Sequence, residues 1–221
     1  MSQIKVTKNQ RIALTTEEKF RRDLIIVNNP VLVEGLALAP IIGAAVTMRN
    51  AVMLSLMIPF LLIPTRFFGN LLVGIIPQRL RAMFYSIMAS LFYIPGYIVL
   101  QYLFDVRVAN LGIYLPMLVV DSIIITRTEV PHRETVLFGL LGGVLSSIGF
   151  ALAAVLVGGI REILGAGRLW GRTIFETVPL PIISTAAGGF MVVAILCAIL
   201  QQCISTIKRI RYRYAKDSQY I

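Results

Sequence analysis

Apolar residues in this chain come in nearly unbroken runs of roughly 17–27 positions. A helix needs about 20 such residues to cross the ~30 Å hydrocarbon core of a bilayer. Soluble helices carry shorter, periodic stripes instead. A transmembrane barrel would show segments of about 10 residues in strict alternation, and the run 182–207 does not alternate. Charged residues make up 14% of the chain and hydrophobic ones 57%, against about 25% charged in a soluble domain. The pattern is that of an all-α integral membrane protein.

The runs place spans near 30–48, 51–76, 80–104, 111–127, 136–164 and 181–207. Short polar joints separate them: Met48-Arg49-Asn50, Gln78-Arg79, Asp105-Val106-Arg107 and Pro131-His132-Arg133-Glu134. The longest connection, near 165–180, carries Arg168, Trp170, Arg172 and Glu176. A basic N-terminal tail occupies 1–29, a six-span membrane domain 30–207 and a basic C-terminal tail 208–221. Within the first tail, Thr15-Thr16-Glu17-Glu18 has the form of a helix start. The first 25 residues hold no apolar run of the kind a secretory leader needs.

Net charge is +10, and its placement is informative. Lys5, Lys8, Arg11, Lys19, Arg21 and Arg22 precede Pro30, and Lys208, Arg209, Arg211, Arg213 and Lys216 follow Ile207. Cations gather on the cytoplasmic side of a membrane protein, so both tails are expected there. Six spans, being even in number, return the second tail to the side of the first. The cations flank apolar runs, which argues for anionic lipid headgroups as their partner and against nucleic acid.

The first and fourth runs are short and interrupted. The first holds Glu34, Gly35, Pro40 and Gly43; the fourth holds Asp121. Such segments in corresponding places of two halves point to discontinuous helices and an inverted repeat. The halves are about 30–104 and 111–207, so the expected architecture is six transmembrane helices as two inverted three-helix repeats with broken first and fourth helices. An ionisable residue within a span faces a cavity, a partner or an opposite charge. Glu34, Arg66, Asp121 and the Arg161-Glu162 pair are of this kind. Glu34 and Asp121, near the two breaks, are candidates to bind a cation. Alternatively, one of them pairs with Arg66 or with a partner's cation and is purely structural. Arg161-Glu162 is expected to form an interfacial ion pair. Gly142-Gly143 and Gly158-Gly159 are expected at close helix contacts, and Ser146-Ser147 in hydrogen bonds between helices.

Three segments carry a resemblance. Asn29-Pro30-Val31-Leu32-Val33-Glu34-Gly35-Leu36-Ala37-Leu38-Ala39-Pro40 resembles the first-span motif of the Rnf/Nqr membrane subunits, and Leu111-Gly112-Ile113-Tyr114-Leu115-Pro116 through Asp121-Ser122-Ile123-Ile124-Ile125 their fourth-span motif. Gly159-Ile160-Arg161-Glu162-Ile163-Leu164-Gly165 through Trp170-Gly171 is similar to the end of the fifth span in the Rnf E / Nqr D type. The resemblance implies a six-helix inverted repeat paired with a paralogous Rnf A / Nqr E type subunit. The pair would sit in a bacterial cytoplasmic membrane complex that couples electron transfer to Na⁺ or H⁺ movement. It also implies a [2Fe-2S] cluster shared between the two subunits, with one cysteine from the first span and one from the fourth span of each.

Here those two positions hold Ala39 and Ser122, with Asp121 where the family usually has asparagine. Such a cluster is normally held by four thiolates, and an alanine methyl cannot ligate iron. The two cysteines present, Cys197 and Cys203, lie about 120° apart around one helix and ~9 Å along it, too far to share an iron. The expectation is therefore a subunit with no catalytic residue, cofactor or metal of its own, structural or ion-conducting in role. The alternatives are a small inverted-repeat transporter half without redox chemistry and a structural membrane anchor.

Overall fold

The computed structural model describes residues 29–72, 74–129 and 136–217. The N-terminal tail, the joint containing His132 and the side chains of the C-terminal tail lie outside the described residues. The helices in chain order are α1 (Leu38–Ala44), α2 (Met48–Leu72), α3 (Arg81–Phe104), α4 (Tyr114–Met117), α5 (Ser122–Thr128), α6 (Val136–Ala166) and α7 (Ala186–Asp217). Short 3-10 segments occupy Gln78–Leu80, Asp105–Leu111, Leu118–Val120 and Pro181–Ser184. A two-stranded hairpin pairs β1 (Arg168–Leu169) with β2 (Arg172–Thr173) in antiparallel fashion.

Among the described residues, four helices are long and apolar enough to cross a membrane: Met48–Leu72, Gln78–Phe104, Gly139–Ala166 and Ala186–Thr206. They correspond to the second, third, fifth and sixth runs of the sequence. Pro59 and Pro64 within α2 and Pro95 within α3 do not end their helices. In a membrane helix, neighbouring groups re-satisfy the backbone that proline leaves unpaired.

α2 and α6 form the centre. Met53, Leu54, Met57, Ile58, Leu61 and Leu62 of α2 are fully buried, as are Phe150, Ala153, Ala154 and Val157 of α6. α3 lies further out and exposes Met83, Ile87, Leu91, Ile94 and Ile98, spaced three or four apart on one face. α7 exposes Phe190, Met191, Ile195 and Ile199. Half of the apolar window of α2 and of α6 is buried inside the bundle, against 22% for α3 and 28% for α7. An apolar outward face is what hydrocarbon surroundings permit, because lipid tails solvate leucine as well as another helix does.

The first and fourth runs are not continuous helices. Asn29 opens the first: its Oδ1 accepts from the Val31 and Leu32 N–H groups, and its Nδ2 donates to the Gly149 carbonyl of α6. One turn follows, until Gly35 at φ +72° and Ala37 at φ +57° reverse the backbone. α1 then starts afresh at Leu38, with Pro40 in its first turn, where its missing N–H costs nothing. In the fourth run, α4 tightens into the Leu118–Val120 turn. Asp121 is extended, at φ −70° and ψ 149°, and caps α5 through Oδ1, which accepts from the Ile123 N–H at 3.1 Å.

Candidate functional site

The two broken segments cross each other. At one end Arg127 of α5 donates to Glu34 at 2.6 Å. In the middle the Ala37 N–H donates to Ser122 Oγ at 3.4 Å, and Ser122 Oγ–H donates to Asp121 Oδ1 at 3.1 Å. At the other end Gly43 lies against the Tyr114 ring, so closely that a side-chain carbon at Gly43 would overlap it. The pairings 34 with 127, 37 with 122 and 43 with 114 run in opposite directions along the two segments, so the crossing is antiparallel.

The candidate cation ligands can now be placed. Glu34 is part-exposed and has an opposite charge, but that charge comes from Arg127 and not from Arg66. Asp121 is half-buried, with one carboxylate oxygen occupied by the α5 cap and the Ser122 hydroxyl. Ala39 and Ser122 are both exposed. Arg66 is buried on α2 and faces Gly142 of α6, where a side-chain carbon would stand 2.7 Å from Nη1. Gly142 thus makes room for a guanidinium as well as for helix contact. Ser147 donates to the Gly143 carbonyl within its own helix rather than across to another.

Arg161 and Glu162 do not pair with each other, which corrects the expectation of an ion pair. Arg161 is 1% exposed and donates to five backbone carbonyls. Nη1 reaches Ile42 at 2.7 Å and Ala45 at 3.3 Å, at the end of α1. Nε reaches Ile183 at 3.1 Å, and Nη2 reaches Ser184 at 3.1 Å and Thr185 at 3.0 Å, just before α7. A guanidinium has five N–H donors, and five carbonyls meet them. Glu162 turns the other way: Oε2 accepts from the Met48 N–H at 2.8 Å and Oε1 from the Gly171 N–H at 3.2 Å. A carboxylate at the first N–H of α2 suits the positive end of that helix, and it explains why α2 starts at Met48 inside a polar joint. Sequence reasoning missed this double tie. The signal was the adjacency of two opposite charges at the end of an apolar run, and adjacent residues on a helix point about 100° apart.

A family model described as "Rnf-Nqr subunit, membrane protein" matches residues 19–197. The chain belongs to the Rnf-Nqr family. It is 34% identical over 145 residues to the E subunit of the ion-translocating oxidoreductase complex of Shewanella oneidensis, and 32% identical over 145 residues to that of Shewanella loihica. Each match covers 65% of this chain and 62% of the relative's length. A match to the corresponding protein of Shewanella sp. strain ANA-3 is longer, 29% over 189 residues, covering 78% of this chain and 81% of that one.

Side chains in this Rnf-Nqr chain do not fit an iron–sulfur cluster at the crossing. Ala39 offers a methyl group and Ser122 a hydroxyl already bonded to Asp121 and the Ala37 amide. Among the described residues, no three His, Cys, Asp or Glu side chains gather. Cys197 and Cys203 lie on α7 as free thiols, one half-buried and one exposed.

Proposed function

We propose that this chain is the Rnf E / Nqr D-type membrane component of an ion-translocating oxidoreductase complex in the bacterial cytoplasmic membrane. A paralogous Rnf A / Nqr E-type subunit docks on the face that carries Ala39 and Ser122. The observation that carries this reading is the antiparallel crossing of the two broken segments with both positions exposed beside it. The names of the Shewanella relatives agree with it.

The same crossing supports a six-segment inverted repeat, 30–104 and 111–207, with 1–29 and 208–221 as basic tails on the cytoplasmic side. Equivalent elements of two inverted halves meet head to tail about an axis in the membrane plane, and the pairings 34–127, 37–122 and 43–114 have that form. The role is structural or ion-conducting, and the chain supplies no redox ligand. Asp121 is the carboxylate placed to meet a cation at the break, and Glu34 is released to a cation only when Arg127 moves.

Purification from native membranes in mild detergent tests the assignment. The paralogous subunit and the other subunits of an oxidoreductase are expected to co-purify. A chain that elutes alone, or only with copies of itself, contradicts it. For the ion site, Asp121→Asn and Glu34→Gln are each expected to weaken Na⁺- or pH-dependent turnover; unchanged ion dependence in both removes that part. The replaced ligand positions Ala39 and Ser122 favour one second reading, a transporter half or membrane anchor that kept the fold without the redox chemistry. That reading expects a co-purifying paralogue that also lacks its thiolates.

A further inference from the structure

A cavity of about 430 Å³ opens where α2 begins and α6 ends, lined by Arg49, Asn50, Asn110, Glu162, Arg168 and Trp170 among others. Its polar walls are held in place. The Asn50 N–H donates to Thr47 Oγ1, and Asn50 Nδ2 donates to the Ala44 carbonyl at 3.1 Å. The Arg49 guanidinium stands 6.0 Å from the centre of the Trp170 ring, a cation–π contact. Neither Arg49 nor Arg168 pairs with a carboxylate among the described residues. Glu162, the acid in the lining, has both oxygens taken by the Met48 and Gly171 N–H groups. The cavity therefore presents two guanidinium groups with no direct carboxylate contact and, counting Glu162, an excess of one positive charge in its lining.

The hairpin adds strain. Trp170 and Gly171 form the two-residue loop between β1 and β2, with φ +55° and +83°. A turn with both central residues left-handed is natural for hairpins and favours Asn-Gly or Gly-Gly. A tryptophan in that conformation is costly, and such strain clusters at ligand sites. Here the Gly171 N–H bond to Glu162 holds the loop and keeps Trp170 in the cavity wall.

We propose that this cavity binds a phosphate ester, with Arg49 and Arg168 on the phosphate oxygens, Asn110 on the ester side and Trp170 packed over the ligand. A planar guanidinium fork matches phosphate geometry. The ligand is either the headgroup of an anionic phospholipid or a soluble phosphate compound. The cavity lies at the level where two membrane-crossing helices end, which is where headgroups and interfacial tryptophans sit.

Trp170 is the chain's single tryptophan, so its emission reports directly on the site. The full-length chain in detergent is titrated with dioctanoyl phosphatidylglycerol, dioctanoyl phosphatidylcholine and inorganic phosphate. A saturable change with phosphatidylglycerol, at least about tenfold tighter than with phosphatidylcholine, supports a lipid headgroup. Saturation by inorganic phosphate in the same range supports a soluble phosphate ligand. The double variant Arg49→Gln, Arg168→Gln is expected to weaken the tighter ligand by about tenfold or more, with an unchanged unfolding temperature. If that variant fails to fold, Arg49→Lys with Arg168→Lys replaces it; loss of the fork with charge retained is expected to weaken binding less. No saturable response to phosphatidylglycerol or phosphate in the folded protein, or equal affinity in a folded double variant, overturns the proposal.

Discussion

Arg161 and Glu162 are neighbours in sequence and each is bound to backbone, whereas Glu34 and Arg127 lie 93 positions apart and bind each other. The first two are 1% and 6% exposed; the second two have side chains 32% and 12% exposed. A charge held by carbonyls or amides has no partner that can leave, so it works as a fixed joint. Arg161 ties the end of α1 to the start of α7, and Glu162 ties the start of α2 to the hairpin. A charge held by another side chain can exchange that partner for an ion or for a group on a docking protein. The difference separates a scaffold at one end of the broken segment from an adjustable contact at the other.

Removing the joint should have the largest effect. Arg161→Met removes five donated hydrogen bonds, two of them buried and three part-buried. The Thr185 carbonyl keeps the Gly189 N–H, and the loss of the other ties is expected to cost about 3 kcal/mol or more. Thermal unfolding in detergent, or abundance in the membrane, should show it, with Arg161→Lys in between. A variant as stable as the parent would mean that the carbonyl ties do not hold the bundle.

Next comes the tight end of the crossing. Gly43→Ala forces a methyl into the Tyr114 ring, and overpacking of this kind costs about 1–3 kcal/mol. Adding Tyr114→Leu should recover most of it; a simple sum of two losses would show that the two positions do not meet. Glu34→Gln should be milder, below about 1 kcal/mol, because the pair is part-exposed. Exchange of the charges, Glu34→Arg with Arg127→Glu, should restore stability to near the parent value. Smallest of all is the pair Cys197→Ala and Cys203→Ala, expected within about 0.5 kcal/mol of the parent. An iron loss on making these changes would assign the thiols a ligand role that their positions on α7 do not suggest.

Four of the six apolar runs declared themselves, because length and hydropathy alone decide whether a helix can reach across a bilayer. The interruptions near Gly35 and Asp121 were also visible, as short runs containing a carboxylate. What stayed hidden were partners distant in sequence. Nothing local to Glu34 points to Arg127, and the reading that gave it Arg66 had only depth in the membrane to go on. Arg161 was misread for a different reason: its five acceptors are backbone carbonyls, which carry no sequence signature. The cavity at Arg49 and Trp170 needs the fold, since it joins the start of α2 to a hairpin more than a hundred residues later.

The most direct test of the account is site-specific photo-crosslinking in native membranes, with a photoreactive residue placed at Ala39, at Ser122 and at Ile87. All three positions are exposed in the chain by itself. The account predicts that Ala39 and Ser122 crosslink to a second protein of the complex, while Ile87 on the outer face of α3 crosslinks to lipid alone. Protein adducts at Ile87 with none at Ala39 or Ser122 would contradict it, because the crossing of the broken segments would then face lipid and not a partner.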